Sequence, residues 1–151
     1  MTARRVAVLL AVLALTPVVQ AAEWRFGPRA EIDPGAGFAP GAGVLVAYLP
    51  FEPAPGVRLG VSAHGGALWP AAGITWTGAA GLHLVYAPVF ARLGWWGQSG
   101  GLRPATGPYL AIGGSGALDR ALDWAIDASI GLDLLGAGTR IRVGAMLLLA
   151  R

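Results

Sequence analysis

Leu122-Asp123-Trp124-Ala125-Ile126-Asp127-Ala128-Ser129-Ile130-Gly131-Leu132-Asp133-Leu134 is the stretch that decides the fold. Every even position carries an apolar side chain and every odd one carries Asp, Ala, Ser or Gly. A helix would scatter the Asp residues over several faces, whereas a strand gathers them on one. The stretch therefore predicts a strand with an apolar face and a face of carboxylates.

Working outward, the same alternation recurs in Trp24 to Ile32, with Arg25, Arg29 and Glu31 on the minority face. It recurs again around Arg58 and Ser62 in Val57 to Ala63, around Arg92 in Val89 to Trp95, and around Arg142 in Ile141 to Leu149. Gly- and Pro-rich punctuation separates these runs. Strands are predicted near 23–32, 43–51, 57–64, 73–86, 89–97, 108–115, 121–135 and 139–150, an even number. Pro28 is the weak point, because a proline inside a strand deletes a ladder hydrogen bond unless a bulge absorbs it.

Composition narrows the class. The chain has 151 residues, of which 24 are Gly and 11 Pro; 55% are apolar and 13% charged. Soluble domains carry about 25% charge, and disordered chains carry far less apolar content, so both are disfavoured. The basic residues are all Arg, and with no Cys there is neither a disulfide nor a thiolate site. No basic run beyond Arg4-Arg5 suggests a phosphate-tracking surface, so no nucleic-acid partner is expected.

The first 22 residues read as a secretory signal: Arg4-Arg5, the apolar run Val6 to Leu15, and small residues at Ala21-Ala22. The domain division is then 1–22 signal peptide and 23–151 β-barrel. The long uncharged stretch Leu59 to Ala91 is interrupted by many Gly and by Pro70 and Pro88, and its alternation again favours strands over a membrane helix.

The last hairpin specifies a register. A two-residue Gly136-Ala137 turn would pair Leu135 with Gly138 and set Asp133 opposite Arg140, with Gly131 facing Arg142. A weak repeat, Arg58-Leu59-Gly60, Arg92-Leu93-Gly94 and Arg142-Val143-Gly144, places an Arg near the start of several strands. Arg25, Arg58, Arg92, Asp123 and Arg142 are expected in one interior layer near the mouth at the chain ends. Asp127, Asp133 and Arg140 complete the expected interior charge network. The 13 aromatics are expected in two girdles at the strand ends. One holds Trp24, Phe26, Tyr48, Phe51, Tyr86, Phe90 and Trp124; the other holds Phe38, Trp69, Trp76, Trp95, Trp96 and Tyr109.

Export signal, eight alternating strands, absence of Cys, aromatic rims and the Arg-Leu-Gly motifs together resemble the small bacterial outer-membrane β-barrel proteins, the OmpA-like and OmpX-like group. The resemblance implies an all-β, eight-stranded antiparallel up-and-down transmembrane β-barrel in a Gram-negative outer membrane. Its interior would be filled by side chains, leaving no open pore, and its role structural or interactive. The partners implied are outer-membrane lipid and other envelope proteins, with the barrel a monomer and no cofactor. The outward loops are shorter than is usual in that group, which argues against a loop-based adhesin. A soluble periplasmic lipocalin-like barrel binding an apolar ligand has the same alternation, with the faces reversed.

Catalytic signals are thin. Lipid A-trimming enzymes of the same group carry a His and a Ser close together on one strand, and Ser62-Ala63-His64 puts both on one face in the reverse order, with Asp127 or Glu31 as the nearest candidate acids. This is the lipid-modifying hydrolase alternative; the main expectation is no enzyme. With a long loop from Gly65 to Ala72, His64 and His83 would lie roughly 30 Å apart along the sheet, too far to share a metal. Ile112-Gly113-Gly114-Ser115-Gly116 lacks the following Lys and helix of a phosphate cradle.

Overall fold

The computed structural model describes residues 22–150; the expected signal peptide, apart from Ala22, lies outside the described residues. Eight strands follow one another: β1 (Glu23–Asp33), β2 (Ala39–Ala54), β3 (Val57–Leu68), β4 (Thr75–Tyr86), β5 (Val89–Gly100), β6 (Ala105–Ala117), β7 (Leu122–Asp133) and β8 (Gly138–Ala150). Each pairs antiparallel with its neighbour in sequence, and β1 pairs with β8, so the sheet is a closed up-and-down barrel. Closure leaves no strand edge unpaired.

Alternation becomes inside and outside. On β7, Asp127 and Gly131 are buried and Ser129 is half-buried, while Ile126, Ala128 and Ile130 are exposed, as the period of two requires. The interior also holds two apolar clusters. Leu45, Leu49, Val85, Phe90, Met146 and Leu148 pack in the half near the chain ends. Ala79, Trp96, Ala105, Tyr109 and Ala111 pack in the other half.

Several strands run further than expected. Gly41, Gly65 and Gly66 resemble turn residues in sequence, yet Gly41 pairs with Leu68, Gly66 with Gly43 and Gly65 with Val44. A Cβ on Gly43 would stand 2.3 Å from Gly65 O, so these glycines allow two backbones to approach closely inside the ladder. The connection between β3 and β4 correspondingly shrinks to residues 69–74. Pro50 and Pro53 lie where the β2–β3 register slips by one residue, after Tyr48 and again after Phe51.

Pro28 is not absorbed by a bulge. It pairs with Val44 of β2, and the β1–β8 ladder passes over Gly27 and Pro28 with the same register on either side. Gly107-Pro108 repeats the device on β6, where the β6–β7 ladder resumes at Tyr109. There the carbonyl of Leu132, which Pro108 cannot serve, accepts the Trp96 Nε1–H at 3.1 Å.

The β7–β8 hairpin differs from the expected one. The loop has four residues, Asp133 faces Gly138, Gly131 faces Arg140 and Ser129 faces Arg142. The cause is Asp133 itself, whose Oδ1 accepts the N–H groups of Leu135 and Gly136 at 3.0 and 3.1 Å. This side-chain turn ends β7 two residues early, and Ala137 takes the left-handed φ of 48° needed to reverse the chain.

Because closure pairs every strand, the folded barrel should resist mild SDS. Unboiled and boiled samples are expected to run at different positions on a gel, and equal mobility for a folded preparation would contradict a closed barrel.

Candidate functional site: the charged interior

Strands β1, β5, β7 and β8 carry most of the chain's charged residues, and their inward side chains form three tiers where one layer was expected. Near the chain ends, Glu23 accepts from Arg25 and pairs with Arg58 at 2.9 Å, while Arg25 approaches Asp123 at 3.6 Å and Arg58 approaches Glu52 at 3.8 Å. This mouth is half-buried. Arg92 and Arg142 do not belong to it: β5 and β8 carry them deeper, because the strands are tilted and staggered around the barrel.

The middle tier centres on Asp127, which is 2% exposed. Arg29 grips it with two parallel bonds, Nη1 to Oδ2 at 2.7 Å and Nη2 to Oδ1 at 2.9 Å. Arg92, from the other side, also donates to Oδ2. Arg29 Nε reaches Glu31 at 3.2 Å, and Thr77 Oγ1 donates to the same carboxylate at 3.2 Å. Two cations and two anions thus balance within one buried cluster, with a bidentate guanidinium–carboxylate pair at its centre.

In the third tier Arg142 donates from Nε to Asp33 at 3.4 Å and from Nη2 to Gln98 at 2.8 Å, with its guanidinium 5.1 Å above the Trp96 ring. Asp133 pairs with Arg103 at 2.7 Å. The expected Asp133–Arg140 pair is therefore corrected: Asp133 turns toward the rim to cap its own loop, and Arg140 has no carboxylate within ion-pair distance among the described residues. Glu23, Arg29, Glu31 and Asp33 on β1, together with Glu52 on β2, are the strand members that sequence reading left out of the network. The odd-numbered spacing of those on β1 was the available signal. Arg103 gave none, since it sits in a loop.

The aromatic girdles need a similar correction. Trp24, Phe26, Phe38, Phe51, Trp69, Trp76, Tyr86, Trp95 and Trp124 are exposed, and Tyr48 is half-buried against Trp24. Phe90, Trp96 and Tyr109 instead point into the barrel. Phe90 and Trp96 share the parity of Arg92 on β5, and parity outranks nearness to a strand end.

Ser62 and His64 both face inward, but neither Ser62 Oγ nor His64 Nδ1 has a hydrogen-bond partner. The candidate acids Asp127 and Glu31 are held by Arg29, Arg92 and Thr77. No relay of nucleophile, base and acid is assembled from these residues. His64 faces Ala79, and His83 lies four residues further along β4, so the separation is about 13 Å at 3.3 Å per residue, shorter than expected because the loop is shorter. Among the described residues no group of three or more His, Cys, Asp or Glu is placed to hold a metal.

Compared with protein-family models and with curated proteins, the chain matches none.

Asp127→Ala leaves two buried guanidinium groups facing each other and should cost about 3 to 5 kcal/mol of unfolding free energy. In double-substitution cycles read by urea unfolding, Asp127 and Arg92 should be strongly coupled. Asp133 and Arg103, whose side chain is 59% exposed, should couple by about 1 kcal/mol or less. Asp133 and Arg140 should be additive.

Proposed function

We propose that the chain is a small outer-membrane β-barrel protein of the OmpA-like and OmpX-like kind, filled by its own side chains, with a structural or interaction role in the envelope. The observation that carries this reading is the inverted polarity of the barrel. Arg29, Glu31, Asp33, Arg92, Asp127, Asp133 and Arg142 are buried, while Val44, Val61, Leu82, Leu93, Ile112, Ile126, Ile141 and Leu147 are exposed. Water would select the opposite arrangement, since each exposed large aliphatic side chain forfeits about 1.5 to 3 kcal/mol of burial. Hydrocarbon selects this one.

Length supports the same reading. The strands run from 11 to 16 residues, and a tilted strand needs about 9 to 11 to cross a bilayer. Exposed Trp24, Trp124 and Tyr86 near one end, and Trp69, Trp76 and Phe38 near the other, suit the two interfaces. The expected signal peptide, residues 1–22, would deliver the chain to the envelope. Two shallow concavities of about 760 and 630 Å³ lie on the outer wall, floored by residues such as Ala63 and Ala80, or Ala30 and Ala145. Lipid chains would fill both.

The lipocalin-like alternative calls for an apolar cavity of about 300 Å³ or more inside. The interior cavities beside His64 and His83 measure about 20 and 10 Å³ and are bordered by Arg side chains. The hydrolase alternative gains nothing from the unconnected Ser62 and His64. The short, largely uncharged loops at the end away from the chain termini offer little surface for a loop-based adhesin, so any partner would meet the barrel wall or its rims.

Single Cys residues at positions 126 to 131 test the reading. A lipid-phase probe should label 126, 128 and 130 and leave 127, 129 and 131 unlabelled; absence of lipid labelling throughout would overturn insertion. Ile126→Arg or Ile130→Arg should destabilise the inserted barrel by about 2 to 4 kcal/mol if near the midplane. The protein should also remain with membranes through a carbonate or urea wash.

A further inference from the structure

The cavity in the half of the barrel away from the chain ends is bordered by His64, Trp96, Tyr109, Ser129, Arg140 and Arg142. Its polar lining offers hydrogen-bond donors and no carboxylate. Tyr109 is 5% exposed, yet its hydroxyl has no hydrogen-bond partner, and His64 Nδ1 has none either. Orphaned buried polar groups of this kind cost about 1 to 3 kcal/mol each, so they mark a missing partner.

Charge defines that partner. Among the described residues of this tier, Arg103, Arg140 and Arg142 face only Asp33 and Asp133. Asp33 is engaged elsewhere, with Oδ1 accepting from Ala36 N–H at 3.1 Å and Oδ2 from Arg142 at 3.4 Å. Asp133 is committed to its turn and to Arg103. Arg140 is left over, and it faces Gly131 directly beside the cavity. A guanidinium, a phenol and a hydroxyl around an empty space with surplus positive charge form a receptor for an anion.

Size defines it further. The cavity measures about 20 Å³, where about 10 to 15 Å³ admits one water-sized sphere. A monatomic anion fits. Sulfate or phosphate, with four oxygens each about the size of a water, does not. We propose that this cavity is a halide site: a chloride ion held by Arg140, Arg142 and the Tyr109 hydroxyl neutralises the tier and gives that hydroxyl its partner.

Crystals of the full barrel grown in sodium bromide should show an anomalous peak in the cavity, next to Tyr109 and Arg140. In detergent, the unfolding midpoint should rise with chloride or bromide and should not rise with sodium gluconate, whose anion is too large for the cavity, at matched ionic strength. Tyr109→Phe, which removes one donor and preserves the ring, should weaken the apparent halide affinity about tenfold, the value of one charge-assisted hydrogen bond. Arg140→Gln should abolish the halide response, while Arg58→Gln, a change of the same charge at the opposite mouth, should retain it. Folding of each variant is checked by its gel shift. A cavity without anomalous signal, holding water alone, overturns the proposal even if no variant folds. So does a midpoint that follows ionic strength whatever the anion.

Discussion

The carboxylate of Asp127, shared between Arg29 and Arg92, is the interaction on which the interior depends. It ties β7 to β1 and β5 across the lumen, joining strands that the backbone ladder does not bring together. Two buried guanidinium groups would repel each other without it, and a lone buried carboxylate would bear its desolvation uncompensated. The cluster closes on itself through Glu31 and Thr77, so the centre of the barrel is electrically balanced and filled. Apolar clusters lie on either side of it and bury the pairs.

The wall obeys a different constraint. Each residue serves the ladder with its backbone and only one face with its side chain, so one period of two fixes both the charged inside and the apolar outside. Glycines enter where the inside is too crowded for a second side chain. Gly131 lies beneath the Trp96 indole, whose Nε1 would stand 2.3 Å from a Cβ there, and Gly144 lies beneath the Arg29 guanidinium in the same way. Large interior groups and interior glycines are thus two halves of one packing solution.

Strand number, strand order and the faces of β7 were legible in the sequence because alternation is a local signal repeated many times. The tiers were not, since they depend on how far each strand slides past the next, and no single strand records that. Asp133 illustrates the point. Its parity placed it correctly on the inner face, but its side chain competes for backbone N–H groups in the turn, and that competition moved the β7–β8 register by two residues and broke the expected pairing with Arg140. Phe90, Trp96 and Tyr109 were misplaced for the opposite reason: nearness to strand ends was weighed above the parity that Arg92 had already fixed for two of them. The reach of Arg29 to Asp127, separated by 98 residues in sequence, follows only from closure.

The two Gly-Pro steps leave seams of different strength. At Pro108 the bereft carbonyl of Leu132 recruits an indole, so β6 and β7 stay sealed. At Pro28 no side-chain donor among the described residues does the same for Leu147, and β1–β8 has fewer paired residues than any other neighbouring couple. That seam joins the first strand to the last, so it cannot close before β8 is made. The carbonyl left bare beside Pro28 makes it the line along which the cylinder would first unzip, and the Arg29–Asp127 clasp bolts β1 to β7 immediately inside that line.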